Sequence, residues 1–484
     1  MNTQWEVVIG LEVHVQLNTT SKLFCSAPNE SNAEPNENIN VTSLGLPGSL
    51  PIINQEAVNH AVTLGCAINA EIQNKSFFDR KSYFYPDSPR NFQITQLHHP
   101  ILVGGEIKAP VNGVMKTFQI DRAHLEDDAG MLKHFQSFSG VDYNRAGIPL
   151  LEIVSEPCFR SSVEVRAYLE TLREMLQFSG VSLANMESGH MRADVNISIR
   201  KKGDTHLNNK IEIKNVNSIS NIELAINQEI KRQVKLITSN PDRSHNDLIL
   251  DCTYRWDAET EKLVLMRKKE KATEYRYFPE PDLSAPLYVS DEHIDIIRKQ
   301  LPELPEQKRQ RYRSVYKLPE DDISTVMVTK KSADFFDACV LICNNPQKVF
   351  NWMFSEFNGR LTERQITIDQ SGIAPKSLAQ LVMYIDDGSI TGKIAKKIAD
   401  IMVESPESLP EDIIKQHPEF VPINNVAELE AIIQKVLDNN KQAVIDYQGG
   451  KQQSFGFLIG QIMKETRGQA NPKSVNELLR AKLA

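Results

Sequence analysis

Alternation of apolar and polar residues is clearest in the stretch from Val7 to Leu17. From Leu11 onward every second residue is apolar, and Glu12, His14 and Gln16 lie between them. This period of two predicts a half-buried β-strand. A carboxylate and an imidazole two residues apart on a strand point to the same side, roughly 6 to 7 Å from each other. Such a pair suits one divalent ion, although an ordinary solvated strand face gives the same pattern.

The alternation returns in later stretches that also carry charged side chains on one face. They are 116–122, followed by the acids Glu126, Asp127 and Asp128; 150–154, with Glu152 among apolar residues; 191–200, with Arg192, Asp194, Asn196, Ser198 and Arg200 on one face; and 210–214, with Lys210, Glu212 and Lys214. Adjacent acids, or an acid inside an apolar strand, are costly unless they are neutralised or hydrated. A polar segment joins the last two stretches, so we predict a hairpin there.

We therefore predict an antiparallel sheet with acids and one imidazole on a single face. The candidates are Glu12, His14, Glu126 or Asp127, Glu152, Asp194 and Glu212, surrounded by Arg192, Arg200, Lys210 and Lys214. Oxygen-rich clusters with one histidine suit Mg²⁺ or Mn²⁺. Metal held between such carboxylates and nucleotide phosphates would form a phosphoryl-transfer site without a P-loop. From the pattern alone, a solvated sheet face of mixed charge is equally compatible.

The stretch 78–94 is rich in aromatic residues and is interrupted by Pro86 and Pro89. This composition predicts a fixed loop. Lys81 and Arg90 in it are candidates to contact a phosphate or a carboxylate, or they are simply solvated cations.

Helical periodicity is found at 55–69, 162–178 and 228–239, and a hairpin is predicted from 253 to 267. From Asp291 the chain becomes a series of helices separated by prolines. The predicted fold class is α+β. We expect an antiparallel, β-rich domain over 1–290, an all-α domain over 291–405 and a small helical tail over 406–484.

The net charge of −8 over 484 residues excludes a global basic surface for nucleic acid. The last stretch, 451–484, is locally basic: Lys451, Lys464, Arg467, Lys473, Arg480 and Lys482 stand against Glu465 and Glu477. Such a tail could contact RNA, or it could be an ordinary solvated helix face.

The N-terminal residues lack the basic and apolar segments of a signal peptide, and no apolar run approaches 18 residues. The 6 cysteines have no framework spacing, which predicts reduced thiols in a cytoplasmic protein. Cys339 and Cys343 lie in an apolar helical run, where burial in a core is expected.

Several motifs taken together resemble a known family. They are Ile9-Gly-Leu-Glu-Val-His-Val-Gln-Leu, Leu44-Gly-Leu-Pro-Gly, Asp79-Arg-Lys-Ser-Tyr-Phe-Tyr-Pro-Asp, Leu125-Glu-Asp-Asp-Ala-Gly, Leu151-Glu-Ile-Val-Ser-Glu-Pro, Arg192-Ala-Asp-Val-Asn-Ile-Ser, Glu212-Ile-Lys-Asn, Tyr277-Phe-Pro-Glu-Pro-Asp and Phe455-Gly-Phe-Leu-Ile-Gly. In order and spacing they resemble the B subunits of the tRNA-dependent amidotransferases, over essentially the whole chain.

The resemblance implies a division of labour in a heterotrimer with an amidase (the A subunit) and a small C subunit. The amidase frees ammonia from glutamine, and the B subunit uses ATP and Mg²⁺ to phosphorylate the side-chain carboxylate of Glu-tRNA(Gln) or Asp-tRNA(Asn). Ammonia then displaces phosphate. The resemblance also implies a cradle similar to the kinase sheet of glutamine synthetase, and a tRNA-binding tail. No amidase motif is found in this chain, so the partner is required.

The resemblance carries metal ligands over to Glu12, His14, Asp127, Glu152, Asp194 and Glu212, with Glu126 as a further candidate. Arg192, Lys214 and Lys81 are the candidates for nucleotide contact. The acidic run often contains two glutamates before the aspartate, whereas this chain has Asp127 at the second position. Its side chain is one methylene shorter, which leaves direct ligation or a water bridge open.

Many members also bind zinc through two cysteine pairs. Here only Cys25 is present, and Ala27, Asn40 and Ser43 occupy the other three positions. One thiolate does not hold a structural zinc, so we predict none. Two rival functions remain at this point: a non-catalytic tRNA-binding scaffold of the same complex, and a free-standing metal-dependent kinase for small carboxylates.

Overall fold

The computed structural model describes residues 4–30, 32–214, 216–268, 274–420, 426–466, 469–470 and 472–483. The chain divides into two compact units, Met1–Pro305 and Glu306–Ala484. The boundary expected near 290 lies shortly before this division, and the one expected near 405 lies inside the second unit. Among the described helices, none combines the length and the apolar character that crossing a membrane requires.

The described strands all belong to the first unit. They are β1 Trp5–Gln16, β2 Glu71–Ile72, β3 Lys75–Ser76, β4 Asp79–Ser82, β5 Phe92–Thr95, β6 Leu102–Val103, β7 Glu106–Val111, β8 Val114–Asp127, β9 Met131–His134, β10 Ser139–Asp142, β11 Pro149–Ser155, β12 Met191–Lys201, β13 Ile211–Lys214, β14 Cys252–Asp257, β15 Lys262–Lys268, β16 Phe278–Pro279 and β17 Leu287–Tyr288.

Helices occur in both units. They are α1 Gln55–Ala67, α2 Ser162–Ser179, α3 Ile219–Thr238, α4 His245–Leu248, α5 Asp291–Gln300, α6 Pro305–Ser314, α7 Glu320–Val326, α8 Lys330–Cys343, α9 Pro346–Asn351, α10 Asn358–Leu361, α11 Pro375–Asp386, α12 Gly392–Glu404, α13 Pro410–Gln416, α14 Val426–Asn439, α15 Lys441–Gln448, α16 Gln452–Glu465 and α17 Pro472–Leu483.

One large sheet organises the first unit. In the part of the chain that the structure describes, its ten strands run in the order β15-β14-β13-β12-β1-β11-β8-β6-β2, with β7 paired to β8. The pairs around β1 are antiparallel, as predicted, and the predicted hairpin between β12 and β13 is present. The pair β13–β14 is parallel, because α3 and α4 carry the chain back before β14 begins.

The two faces of this sheet differ because side chains alternate along each strand. On β1, Val7, Ile9, Leu11, Val13 and Val15 are at most 8% exposed and form one face of the core. Helices α1, α2 and α3 pack against strands of the sheet on its apolar side. The acids and histidines therefore lie on the opposite face, away from these three helices.

Side-chain caps define where these helices begin. The side chains of Asn54, Ser161 and Ser218 accept hydrogen bonds from the backbone N–H groups of the first turns of α1, α2 and α3. The predicted helices at 55–69 and 162–178 are confirmed. The helix predicted from 228 begins nine residues earlier, at Ile219, directly after its Ser218 cap.

The stretch predicted to be a fixed loop is instead partly a hairpin. Asp79–Ser82 pairs with Phe92–Thr95, and both prolines lie in the turn between them, where no ladder hydrogen bond is needed. The predicted hairpin from 253 to 267 is confirmed as β14 and β15.

The second unit, from Glu306, is helical in its described residues, and the helical region predicted from residue 291 begins with α5 in the first unit. Its C-terminal helices α14, α16 and α17 share a small core that includes Leu429, Ile433, Leu458, Ile462 and Leu479. All cysteines of the chain are free thiols, and Cys339 is buried in α8 while Cys343 is half-buried.

Candidate active site

Strand register brings the predicted acids together on the face of the sheet opposite α1, α2 and α3. Strand β1 lies between β11 and β12, so that Glu12 is directly opposite Asp194 and His14 is directly opposite Glu152. On β12, Asn196 is opposite Glu212 of β13. Residues directly opposite each other in a sheet share a face, and these side chains therefore converge.

The first group, which we call the Glu12 triad, consists of Glu12, Asp194 and Glu212. One carboxylate oxygen from each lies within 4.8 Å of the other two. Asn196 donates to Glu12 Oε1 at 2.8 Å, and Thr253 donates its hydroxyl to Glu212 Oε2 at 2.9 Å. These neutral partners orient two of the carboxylates without neutralising them.

Lys214 supplies the positive charge beside this triad. Its Nζ atom lies 2.7 Å from Asp194 Oδ2 and 3.6 Å from Glu212 Oε1. Burial would lower the pKa of the Lys214 ammonium, but the carboxylates of Asp194 and Glu212 raise it above its usual range. Lys214 therefore stays charged next to the site.

The second group, the His14 triad, consists of His14, Glu126 and Glu152, whose ligand atoms again lie within 4.8 Å of one another. His14 Nδ1 is 3.1 Å from Glu126 Oε1 and 3.9 Å from Glu152 Oε2. Since Glu12 and His14 are two residues apart on β1, the two triads are neighbours on the same face, roughly 6 to 7 Å apart along the strand.

His124 belongs to this site although the sequence analysis did not select it. It is opposite Glu152 in the sheet, with Nε2 at 3.4 Å from Glu152 Oε2 and 3.9 Å from Glu126 Oε2. The signal was available in the sequence, because His124 and Glu126 are spaced by two residues like Glu12 and His14. Its buried Nδ1 atom has no hydrogen-bond partner among the described groups.

The charges of the His14 triad depend on one another. Burial would lower the pKa of His14, but the carboxylates of Glu152 and Glu126 outweigh burial and raise this pKa to about 9. Burial would raise the pKa of Glu152, but His124 and His14 hold it well below its usual range. In this state a protonated imidazole compensates the acids.

Both triads fit a divalent metal ion by the chemistry of their donors. Carboxylate oxygens are the ligands that Mg²⁺ prefers, and a neutral imidazole can join them in Mn²⁺ or mixed sites. The proton on His14 supplies positive charge where a cation would otherwise supply it. Asn196, Thr253 and His124 are placed as the outer partners that orient ligands in such sites.

Asp127 lies apart from both triads. Its carboxylate forms an ion pair with Arg90 and accepts a hydrogen bond from the Ile94 N–H at 2.9 Å. Burial raises the pKa of Asp127, and Arg90 counteracts this shift. Glu126 and Asp127 both line the same cavity, but it is Glu126 that reaches His14, while Asp127, the last residue of β8, reaches Arg90.

A cavity of about 410 Å³ adjoins the triads and is lined by both cations and acids. We call it the charged cavity; its lining includes His14, the cations Lys81, Arg90, Arg192 and Lys214, and the acids Glu126, Asp127, Asp128 and Asp194. Arg192 donates to Asp128 at 2.7 Å, and Lys81 Nζ lies 4.9 Å from the centre of the Tyr275 ring. The three residues predicted to contact nucleotide thus all line one cavity beside the acids.

Comparison with known proteins shows the family of this chain. A family model described as the GatB/GatE catalytic domain matches residues 7–295, and a second, described as the GatB domain, matches 334–483. The chain belongs to the GatB family. Similar proteins, named as the B subunit of aspartyl/glutamyl-tRNA(Asn/Gln) amidotransferase, occur in Protochlamydia amoebophila, 50% identical over 100% of this chain and 98% of that protein, and in Chlamydia abortus, 52% identical over 99% and 98%. The Chlamydia pneumoniae protein of the same name is 52% identical over 98% and 97%.

Two of the positions that the sequence analysis compared with zinc-binding cysteines, Asn40 and Ser43, form a hydrogen-bonded loop here. Asn40 Oδ1 accepts from the backbone N–H groups of Thr42 and Ser43, and the Ser43 hydroxyl donates to the Asn40 carbonyl at 3.0 Å. Ala27 is buried and Cys25 is half-buried. The absence of a structural zinc stays a prediction, which metal analysis of the purified protein checks.

Lys22 is a fully buried lysine close to Asp127 and Cys25. Its Nζ atom donates to the Tyr143 carbonyl at 3.3 Å, and burial lowers its pKa to about 8. In the unfolded chain the same group titrates near the ordinary lysine value of about 10.4. Between these two values the unfolded chain binds more protons, so this group makes the fold more stable as pH rises from about 8 to 10.

We therefore expect Lys22→Met to raise the free energy of unfolding at pH 7 by about 1 to 3 kcal/mol, since it removes the cost of burying the charge. The gain should shrink as pH rises through about 8 and vanish near about 10. Denaturant unfolding of both proteins at several pH values measures this. A constant difference across that range, or a less stable variant at pH 7, would contradict the placement of Lys22.

Proposed function

We propose that this chain is the ATP-dependent subunit of a tRNA-dependent amidotransferase. It phosphorylates the side-chain carboxylate of Glu-tRNA(Gln), Asp-tRNA(Asn) or both, in the cytoplasm. The observation that carries the proposal is the pair of neighbouring metal-competent triads on one sheet face, adjoining the charged cavity. The names of its relatives describe one subunit of an amidotransferase that acts on these tRNAs.

The chemistry requires two anions to react. A side-chain carboxylate oxygen attacks the γ-phosphorus of ATP, the bond to the leaving oxygen of ADP breaks, and an acyl phosphate forms. Ammonia then attacks the acyl carbon, inorganic phosphate leaves and the amide loses a proton. Mg²⁺, when bound, neutralises the phosphate charge and lowers the repulsion between these anions.

The residues of the chain have separate roles in this scheme. The Glu12 triad and the His14 triad would hold the metal ions. Asn196, Thr253 and His124 would orient the carboxylates of these triads. Arg192, Lys214 and Lys81 would attract the phosphate groups and the substrate carboxylate. Arg90 is neutralised by Asp127 and helps to fix the wall of the cavity.

Ammonia must come from a partner, for which we propose the amidase (the A subunit), with a small C subunit completing the heterotrimer. A direct test uses this assembled complex with ATP, Mg²⁺, ammonium chloride and Glu-tRNA(Gln) labelled with ¹⁸O in the side-chain carboxylate. The proposal predicts one ¹⁸O atom in each inorganic phosphate released. Phosphate without the label would mean that the carboxylate is not phosphorylated.

We also propose that the basic tail contacts tRNA. Lys464, Arg480 and Lys482 are exposed on α16 and α17, whereas Leu458 and Ile462 of the same region are buried in the tail core. Removing the tail would therefore disrupt its fold, and charge-removing substitutions are the cleaner test. Arg467 and Lys473 of the predicted basic stretch lie outside the residues whose side chains the structure describes.

The triple variant Lys464→Gln, Arg480→Gln, Lys482→Gln is expected to bind tRNA about tenfold more weakly at low salt, because contacts to tRNA phosphates are lost. Each lost contact should also reduce the slope of log affinity against log salt concentration by about 0.7 to 0.9. Filter binding across a salt series measures both quantities. The matched control Lys108→Gln, Lys201→Gln, Lys202→Gln makes the same charge change in the first unit. Equal tRNA affinity in the two triple variants would exclude the tail as the specific contact.

A further inference from the structure

The segment 275–282, which contains the motif Tyr277-Phe-Pro-Glu-Pro-Asp, lies along β4 at the edge of the charged cavity. We call it the strap. It runs antiparallel to β4, with which β16 pairs, and further backbone bonds fix it at both ends. The N–H of Ser82 donates to the carbonyl of Tyr275, and the N–H of Glu280 donates to the carbonyl just before β4, each at 2.9 Å. The strap and β4 therefore form one unit.

On one side of β4, the strap binds Arg80 through a buried ion pair. Arg80 Nε and Nη2 donate to the two carboxylate oxygens of Glu280, at 2.8 and 2.5 Å. The side chain of Glu280 is 0% exposed and that of Arg80 is 20% exposed. The guanidinium also lies 3.8 Å from the centre of the Phe92 ring. A bidentate pair beside a stacked ring fixes both the position and the orientation of the guanidinium.

On the other side of β4, the strap contacts Lys81. Lys81 and Gln93 are directly opposite each other in the pair β4–β5, and both line the charged cavity. Because Lys81 follows Arg80 in the strand, the two side chains point to opposite faces. The Nζ atom of Lys81 lies over the ring of Tyr275, 4.9 Å from its centre. The strap thus holds β4 from both faces, through Glu280 on one and Tyr275 on the other.

We propose that Glu280 is a positioning residue, which acts through Arg80 and β4 to hold the ammonium group of Lys81 in the charged cavity. This inference rests on the proposed function, in which Lys81 attracts the phosphate groups and the substrate carboxylate. Glu280 is not among the residues that line the cavity, so its effect on the reaction passes through Lys81.

The flexibility of a lysine side chain explains why such support matters. Lysine loses much rotamer entropy when its ammonium group is held in one place. Charge in a transition state is stabilised best by groups that are already in position. A misplacement of about 1 Å can cost about 100-fold in rate. Loss of the ion pair between Arg80 and Glu280 should therefore lower activity by releasing β4 and, with it, Lys81.

A double-mutant cycle between Glu280 and Lys81 tests this link. The assay measures kcat/KM for misacylated tRNA with the assembled complex, ATP, Mg²⁺ and ammonium chloride. Glu280→Gln is expected to lower kcat/KM about tenfold in the wild-type background, but less than about twofold in the Lys81→Met background, where no ammonium group remains to be positioned. Equal fold-changes in the two backgrounds would overturn the inference, because Glu280 would then act independently of Lys81.

A second buried ion pair, between Glu229 and Arg232 on α3, is the matched control. Arg232 Nε and Nη2 donate to the carboxylate of Glu229 at 2.7 and 2.8 Å, and the side chain of Glu229 is also 0% exposed. Glu229→Gln and Glu280→Gln should both lower the Tm, since each leaves a guanidinium without its charged partner. Below the Tm, Glu229→Gln should keep kcat/KM within about twofold of the wild type. A tenfold loss in this control would overturn the inference, because lost stability alone would explain the effect of Glu280→Gln.

Tyr275→Leu tests the same link without changing the buried pair, and it decides the question if Glu280→Gln does not fold. It removes the ring over which Lys81 lies and should lower kcat/KM about threefold, whereas Tyr275→Phe keeps the ring and should match the wild type. Full activity in Tyr275→Leu or in Lys81→Met would overturn the inference and leave the proposed function standing. A wild-type complex that releases ADP equally fast with and without acyl-tRNA would overturn both.

Discussion

Replacing Glu12 with glutamine is expected to lower the rates of both ADP release and Gln-tRNA formation by at least about 100-fold. Loss of a residue that only orients a metal ligand costs up to about 100-fold, and loss of a ligand itself should cost at least as much. Glutamine keeps the shape of the side chain and can still accept the hydrogen bond from Asn196. It lacks the negative charge that a metal ligand supplies. The assay uses the assembled complex with ATP, Mg²⁺, ammonium chloride and misacylated tRNA, so that the amidase reaction is bypassed.

Glu6→Gln is the matched control for this experiment. Glu6 lies on the same strand and the same face, but its carboxylate pairs with Arg200 at 2.5 Å and with Arg160 at 3.6 Å, away from both triads. This variant should keep nearly full activity. Full activity in Glu12→Gln, with the complex and tRNA binding intact, would mean that the acidic face is only structural.

Loss of charge at two adjacent acids is expected to affect different properties, stability at Asp127 and activity at Glu126. Asp127→Asn should lower the free energy of unfolding by about 3 kcal/mol, because it leaves the buried guanidinium of Arg90 without its partner. The side chains of Asp127 and Arg90 are only 4% and 9% exposed. Glu126→Gln should instead reduce Mg²⁺-dependent activity at least about 100-fold. Its loss of stability should be smaller, because His14 keeps Glu152 as a second partner.

Urea unfolding followed by tryptophan fluorescence, together with activity titrated against Mg²⁺, separates these effects. The double variant Arg90→Met, Asp127→Asn is the control, since it removes both charges and should recover part of the lost stability. If Asp127→Asn weakens the Mg²⁺ dependence and Glu126→Gln does not, then Asp127 rather than Glu126 is the metal ligand.

The sheet and much of the site could be predicted because alternation on β1, β11 and β12 determines which side chains share a face. The register of β1 then places Asp194 and Glu152 beside Glu12 and His14, as the pattern implied. The division into two separate triads could not be predicted. It depends on the spatial order of the strands, which sequence separation does not reveal.

The same alternation predicts that Glu126 shares a face with His124, two residues earlier on β8. It does not place Asp127, which ends β8 and pairs with Arg90 in the wall of the same cavity. The early start of α3 was also visible in the Ser218 cap and in Ile222 and Ile226. The parallel pairing of β13 with β14 was not, since it requires the path of the chain through α3 and α4.

The central claim is that the acid-bearing face of the sheet holds the metal and nucleotide of the phosphoryl-transfer step. The most direct measurement is anomalous X-ray diffraction from crystals of the assembled complex with Mn²⁺ and a non-hydrolysable ATP analogue. The account predicts manganese peaks within about 2.0 to 2.3 Å of ligand atoms in the Glu12 triad and in the His14 triad. Manganese and nucleotide bound elsewhere, with both triads empty, would contradict it.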